Sequence, residues 1–333
     1  MSDYDAALSP STHDEESASL ARFANDVHYY LKLQPRQLPS RYLYDALGSA
    51  LFDAICLLPW YQITRAETRL LAVHGRSILA HIPRLTTVVE LGPGSGQKLA
   101  TLVRTDRHPS TGPGGLEVHL VDVSPSALAL SSRTLNAVGD LHVVTHEAPY
   151  EVGLAEVTRV ARAGRTLVVL LGSNIGNFDR PGAHAFLGGI RAALASGDSL
   201  LLGADLVKAE RDLLLAYDDP LGVTAAFNRN LLVRINRELG GNFDVDAYSH
   251  KAIWNGQESR VEMHLASLRP QLVRVEAADL DFEMEEGESI WTESSYKYLP
   301  GDLVTMLEHS GFRLVEQWIE SDAGFALTLA RAV

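Results

Sequence analysis

The chain has 333 residues, 46% hydrophobic and 21% charged, enough apolar material for one large core or two and too much for a disordered chain. A formal charge of −13 sets the surface against phosphate backbones, and a single cysteine, Cys56, excludes an internal disulfide or a cysteine-rich zinc site. No apolar run approaches the roughly 20 residues of a membrane span and the first residues hold no signal-peptide core, so the expectation is a cytoplasmic enzyme of small molecules.

Residues 1–18, rich in Ser, Asp and Glu, are expected to form a loose tail. Helical spacing follows through Leu20, Phe23, Val27 and Tyr30. Beyond Pro35 and Pro39, one helical face collects Leu43, Leu47, Leu51, Phe52 and Ile55, with Tyr44 on the same helix; Pro59 ends it and puts Trp60 and Tyr61 on a loop. Another helix is predicted over 66–81. Alternating units come next: a strand running into a glycine turn (86–96), a helix start (96–105), a loop tip (108–115), a strand ending in Asp122 (116–124), a helix (125–138) and a third strand (141–150). A fourth, continuous apolar strand (166–178), a helix (183–194) and a fifth strand (198–207) complete a pattern that argues for a parallel sheet with helices on both faces. Residues 209–239 read as helical with a break near Pro220, 242–267 and 271–298 as strands with turns, and the remainder as helix, strand, strand. The expected partition is a tail (1–18), one domain from 19–62 plus 207–296, and a nucleotide-type α/β domain from 63–206 plus 297–333.

Glu90-Leu91-Gly92-Pro93-Gly94-Ser95-Gly96 follows a strand and precedes a helix, where glycines permit a sharp turn and close approach of backbone to a ligand. The spacing is G-x-G-x-G, with the third glycine one residue early for a dinucleotide fingerprint. With the acid Asp122 ending the next strand, where a carboxylate can meet ribose hydroxyls, this pattern resembles the S-adenosylmethionine site of class I methyltransferases; an NAD-dependent oxidoreductase is the alternative. Lys98, in the first turn after the glycines, is either a solvated lysine or a partner for a cofactor carboxylate.

Three longer segments carry a narrower resemblance: residues 38–67, the run GSNIGNF at 172–178, and 217–248 continuing into 254–265 and 287–298. They are similar to the ergothioneine-pathway L-histidine Nα-methyltransferases over nearly the whole chain after the tail. That resemblance implies an α/β fold with the doubly wound, Rossmann-like sheet of class I methyltransferases and a second, α+β substrate-binding domain. It implies S-adenosyl-L-methionine as methyl donor, met by Gly92, Lys98 and Asp122, and an amino-acid substrate met by Tyr61, Asn177, Tyr217 and the Glu293–Ser295 stretch, with Tyr44 lining the same pocket and Met263 at a pocket-lining position.

The residues can be weighed on their own chemistry. Asn177 follows the most continuous strand at its carboxyl end, where open α/β sheets bind ligands, and its amide can both accept and donate; loop capping is the plainer use. Tyr44, Tyr61 and Tyr217 each offer an aromatic wall and one hydroxyl. Glu293 and Ser295, two apart in a predicted strand, share a face, and a carboxylate beside a hydroxyl can hold both nitrogens of an imidazole, which indole would not satisfy. Tyr44 is the candidate for guiding the proton released by the substrate amine.

One departure stands out. Relatives carry an Asp followed by an aromatic just after the third sheet strand, where the acid would accept the adenine amino group; here the pair is Pro149-Tyr150, which keeps the aromatic and loses the carboxylate. Trp60 and Gln62, flanking Tyr61, also differ from the usual Glu and Tyr. The expected function is Nα-methylation of L-histidine, to the trimethyl betaine. The alternatives are the same chemistry on tryptophan or another aromatic amino acid, and a degenerate homologue that binds without turnover. The 12 histidines lack ligand spacing, so no metal is expected, nor a nucleic-acid or membrane partner; a monomer is the expected state.

Overall fold

The computed structural model describes residues 12–104, 115–159 and 164–333. The chain begins there with helix α1 (Thr12–Leu31), the short strand β1 (Arg36–Gln37), a 3-10 turn at Ser40–Leu43 and helix α2 (Ala46–Leu57). Helix α3 (Ile63–Ala80) leads into β2 (Leu85–Leu91), α4 (Gln97–Val103), β3 (Leu116–Asp122), α5 (Pro125–Asn136), β4 (Leu141–Glu147), α6 (Tyr150–Thr158) and β5 (Arg165–Leu170). A 3-10 turn at Asn174–Asn177, α7 (Arg180–Ala193), β6 (Ser199–Asp205), α8 (Glu210–Tyr217) and α9 (Val223–Leu239) follow. Then come β7 (Tyr248–Asn255), β8 (Arg260–Ser267), β9 (Gln271–Val275), β10 (Leu280–Met284), β11 (Ser289–Tyr296), α10 (Pro300–His309), β12 (Phe312–Glu320) and β13 (Phe325–Ala332).

Residues 1–11 of the expected tail lie outside the described residues, as does the expected loop tip apart from Gly115; from Thr12 the tail is already helix α1. The chain divides into two compact units. The larger comprises Leu58–Ala216, Trp254–Val261 and Ser294–Val333; the smaller comprises the described residues up to Leu57, Tyr217–Ile253 and Glu262–Glu293. Relative to the expected partition, 58–62, 207–216, 254–261 and 294–296 fall in the larger unit.

The larger unit is built on a seven-stranded sheet of order β12-β13-β6-β5-β2-β3-β4. The five strands from β6 to β4 are parallel, and β13 inserts antiparallel between β6 and β12. The strands that read as unbroken apolar runs are the central ones: β2, β5 and β6 are buried along almost their whole length, because helices cover both faces. Strand β4 sits at the edge, and its alternating LHVVTHE sequence is only half-buried. On one face Phe186, Leu187 and Ile190 of α7 pack with Val168 and Leu170 of β5 and Leu200 and Leu202 of β6.

A second sheet has the order β1-β11-β8-β7, and the smaller unit holds all of β1, most of the other three strands and a separate β9–β10 hairpin. Its α2 and α9 pack together, and Asp45 ties them. The carboxylate caps α2 by accepting the Gly48 N–H at 2.8 Å and takes Asn230 Nδ2 and an Arg237 N–H, both of α9, at 2.7 Å. This cap corrects the predicted helix. Leu43 belongs to the preceding 3-10 turn, Tyr44 lies in the link and not on a helix, and Leu47 is 49% exposed instead of facing the core.

Candidate active site

In the larger unit the glycine turn closes the carboxyl end of β2. Gly92, Gly94 and Gly96 have φ of 75°, 53° and 74°, a region that side chains disfavour. A Cβ at Gly92 would lie 2.5 Å from the Tyr150 hydroxyl and 3.0 Å from Asn174 Nδ2, and one at Gly96 would lie 2.9 Å from Ser131 Cα on α5. At Gly94 it would meet nothing within 4 Å. The first and third glycines therefore serve packing, and the middle one presents bare backbone to open space.

Charged groups converge behind this turn. Glu67 of α3, fully buried, accepts the Gly172 N–H with both oxygens (3.0 and 2.9 Å) and pairs with Lys98 at 2.7 Å. Lys98 keeps part of its side chain exposed, so it is neither a solvated lysine nor a sealed one. Glu90, buried at the end of β2, has one carboxylate oxygen without a hydrogen-bond partner. Burial pushes its carboxyl well above the ordinary range; Lys98 opposes this, and the Glu67 and Asp122 carboxylates add to it. Asp122 ends β3, as expected, and accepts the Ser124 N–H at 2.9 Å; burial raises it too, against the Ser124 and Val123 amides that favour the charged form.

Pro149 is exposed and N-caps α6 without any side-chain acceptor. Tyr150 begins that helix. Its ring lies 5.9 Å from that of Phe186, and it helps line an apolar cavity of about 270 Å³ with Leu91, Leu154, Phe186 and Ile190. Burial, with Asp122, Glu151 and Glu90 nearby, keeps its phenol protonated by raising its pKa.

Among the expected substrate residues of this unit, Tyr61 is buried at 6% exposure just past the end of α2, and Asn177 is exposed at the end of its 3-10 turn. Asn174, three residues earlier in the same run, is the asparagine beside Gly92. Ser295 is buried on β11, and its Oγ accepts from Lys297 Nζ at 2.9 Å. Lys297 also pairs with Asp205 at 2.8 Å.

In the smaller unit Tyr44 is 37% exposed, with its ring edge-on to Phe52 at 5.5 Å and Phe227 at 5.4 Å. Tyr217 is buried, and its carbonyl accepts from His250 Nε2 at 2.7 Å. Asn228 Nδ2 donates to the other ring nitrogen at 2.9 Å, which makes His250 an Nε2-protonated neutral imidazole. Asp219, two residues after Tyr217, accepts the N–H groups of Leu221, Val223 and Thr224 and so starts α9; although burial pushes its carboxyl up, these bonds hold it below the ordinary value. Met263 is 1% exposed on β8, and Thr292 Oγ1 donates to its carbonyl at 3.0 Å. Glu293 lies on β11 and is half-buried; the division between the two units falls immediately after it.

The sequence reading did not find Glu67, Glu90's missing partner, Asn174, His250 or the Asp205–Lys297 pair. Among the described residues no group of three or more His, Cys, Asp or Glu side chains could hold a metal ion, and no helix is long and apolar enough to cross a membrane.

Comparison with known proteins adds to this geometry. A family model described as histidine-specific, SAM-dependent methyltransferase matches residues 23–332. The histidine N-alpha-methyltransferase of Mycobacterium tuberculosis (strain CDC 1551 / Oshkosh) is 39% identical over 331 residues, covering 97% of this chain and 99% of the relative. That of Mycolicibacterium smegmatis is also 39% identical, over 92% of this chain and 93% of the relative. Among solved structures, the magnesium protoporphyrin IX methyltransferase of Synechocystis PCC 6803 superposes with a TM-score of 0.48 at 12% identity, over 88% of this chain and 97% of that one.

Proposed function

The chain belongs to the histidine-specific, S-adenosylmethionine-dependent methyltransferases, and from that premise we propose that it methylates the α-nitrogen of L-histidine, three times, to the trimethyl betaine. The observation that carries this reading is the match to the family model over residues 23–332. The larger unit is proposed as the methyl-donor domain and the smaller as the substrate-binding one. The enzyme is proposed to act as a cytoplasmic monomer on a free amino acid, without nucleic-acid or membrane partners; its charge of −13 agrees with the absence of a polyanionic partner.

The residues present suit the donor. Gly94 leaves open space at the turn, Lys98 carries an ammonium for a carboxylate, and Asp122 ends its strand with a carboxylate for hydroxyls. At Pro149 the adenine amino group loses the usual acid, and we assign the adenine face to Tyr150. S-adenosylmethionine supplies, when bound, a methyl group on a sulfonium leaving group.

Everything else is asked of the protein: to hold the substrate amine in line and to keep water out. Tyr61, Asn177, Tyr217 and Met263 are proposed to orient the amino acid, Glu293 to accept an imidazole N–H and Ser295 to meet the other ring nitrogen. An α-amine titrates near 8 in model peptides, so no strong base is needed; Tyr44 is proposed to lead its proton away. Transfer stops at three methyl groups because a quaternary nitrogen has no lone pair.

The test is mass spectrometry of products from S-adenosylmethionine with histidine, tryptophan, tyrosine and phenylalanine. Histidine gaining three methyl groups is the expected result. A product from another amino acid alone would overturn the assignment of Glu293 and Ser295, and no product from any would overturn the reaction.

A further inference from the structure

Glu90 is a buried acid in surroundings that do not balance its charge. It is 1% exposed near the end of β2, two residues before Gly92, and its Oε2 has no hydrogen-bond partner among the described residues. It stands in register with Leu120 of β3, so its side chain and that of Asp122, two residues further along β3, lie on the same face of the sheet. Side chains alternate along a strand, which puts Leu91 and its apolar cavity on the other face.

Three carboxyls share this place with one ammonium. Lys98 of α4 is the only positive group acting on Glu90 among the described residues, and it is already paired with Glu67 of α3 at 2.7 Å. Glu67 is itself fixed, because both of its oxygens accept the Gly172 N–H. Asp122 accepts the Ser124 N–H and brings no cation with it. Tyr150, at the start of α6, is the remaining titratable neighbour, and burial keeps its phenol protonated. A carboxylate taken out of water without a cation or a full set of hydrogen bonds is costly, and such a group keeps its proton instead. Burial works in that direction on Glu90; Lys98 opposes it, and Glu67 and Asp122 add to it.

We infer that Glu90 holds a proton in the free protein, releases it to solvent when a cationic ligand fills the site at the glycine turn, and thereby makes that site prefer the methyl donor to its demethylated product. This rests on the reading above, which puts S-adenosylmethionine at that turn. A sulfonium gives the donor one net positive charge, whereas S-adenosylhomocysteine has a neutral thioether in its place and no net charge. The adenosine, carboxylate and ammonium are common to both, so Lys98 and Asp122 meet the same groups in either ligand. Glu90 is the acid with an oxygen left over for the additional charge. Once the methyl group has left, that charge is gone; Glu90 takes a proton back from solvent and holds the product less firmly than the donor.

The test is calorimetric titration of the full chain with S-adenosylmethionine and with S-adenosylhomocysteine in buffers of different ionisation enthalpy, which counts the protons exchanged on binding. It is done near pH 6.5, where the α-amines of both ligands are protonated, since such groups titrate near 8. The wild type releases about one proton more with the donor than with the product, and its preference for the donor grows as the pH rises. Glu90→Gln, an isostere of the protonated acid, removes that difference, weakens the donor by about thirtyfold and leaves the product within about twofold. Asp122→Asn weakens both ligands and keeps the difference, which separates the two acids. Equal proton counts for the two ligands in the wild type overturn the inference without recourse to any variant. A difference that survives Glu90→Gln overturns the assignment to Glu90. A wild type that binds neither ligand overturns the donor site and the inference together.

Discussion

His250 donates from Nε2 to the carbonyl of Tyr217 at 2.7 Å, so a ring on β7 fixes the backbone of a tyrosine at the end of α8. The bond holds only one tautomer, because the other nitrogen accepts from Asn228. Burial lowers the His250 pKa below its ordinary value of 6.5; the Tyr217 carbonyl and the nearby Asp218 and Asp219 raise it, and Arg229 lowers it. A histidine with a depressed pKa contributes stability that is complete above the unfolded value near 6.5 and is lost as the pH falls from there through the folded value. Thermal melts at pH 8 and pH 5 should therefore differ more in the wild type than in His250→Gln. Equal slopes in the two proteins would show that His250 does not titrate with folding.

Glu67 joins α3 to the loop after β5 and to Lys98. Glu67→Ala leaves the Gly172 N–H and the Lys98 ammonium without this partner, and the expected cost is about 3 kcal/mol in urea denaturation. Glu67→Gln retains an acceptor and is expected to lose about 1 kcal/mol. A smaller loss in the alanine variant than in the glutamine variant would contradict the bridging role.

Pro149 leaves the start of α6 without a side-chain cap. Pro149→Asp is expected to stabilise the fold by about 1 kcal/mol as an N-cap. It should also tighten S-adenosylmethionine binding by about tenfold, by restoring an acceptor for the adenine amino group. Calorimetry reads the second effect; unchanged affinity would mean that another group already meets that amine.

Tyr44 separates ring from hydroxyl. Tyr44→Phe keeps the edge contacts with Phe52 and Phe227 and should melt at the wild-type temperature. Its kcat is expected to fall by about a hundredfold if the hydroxyl guides the departing proton. Full turnover in this variant would remove Tyr44 from the mechanism.

Glu293→Ala is expected to raise the KM for histidine by about a hundredfold, the loss of a charge-assisted hydrogen bond. S-adenosylmethionine affinity should not change. Equal losses for both ligands would indicate a damaged fold instead of a lost contact.

How much of this was legible in the sequence depended on the kind of signal. The runs that became β2, β5 and β6 were readable because a strand buried on both faces has to be apolar throughout. The glycine turn was readable because its three positive φ angles exclude most other residues. The helical face through Leu43 and Leu47 does not form, because the apolar periodicity runs across Asp45, whose capping carboxylate starts a new helix there. The antiparallel placing of β13 was not visible, since pairing partners distant in sequence leave no local mark. Glu67, Asp205 and Lys297 escaped for the opposite reason: a charged residue reads as solvated until the structure supplies its partner, and here each partner is far away along the chain.

The position of β13 also bears on how the protein is made. Residues 325–332 form a strand hydrogen-bonded on both sides, to β6 and to β12, and they come after all of their sheet partners in chain order. A growing polypeptide therefore releases the whole of 217–293 before the larger unit receives the strand that joins β12 to its parallel sheet. The smaller unit can assemble while synthesis continues, whereas the larger one is left with β6 as an unpaired edge until β13 arrives. During that interval, β6 presents Ser199–Asp205 as an open edge to which another strand could pair.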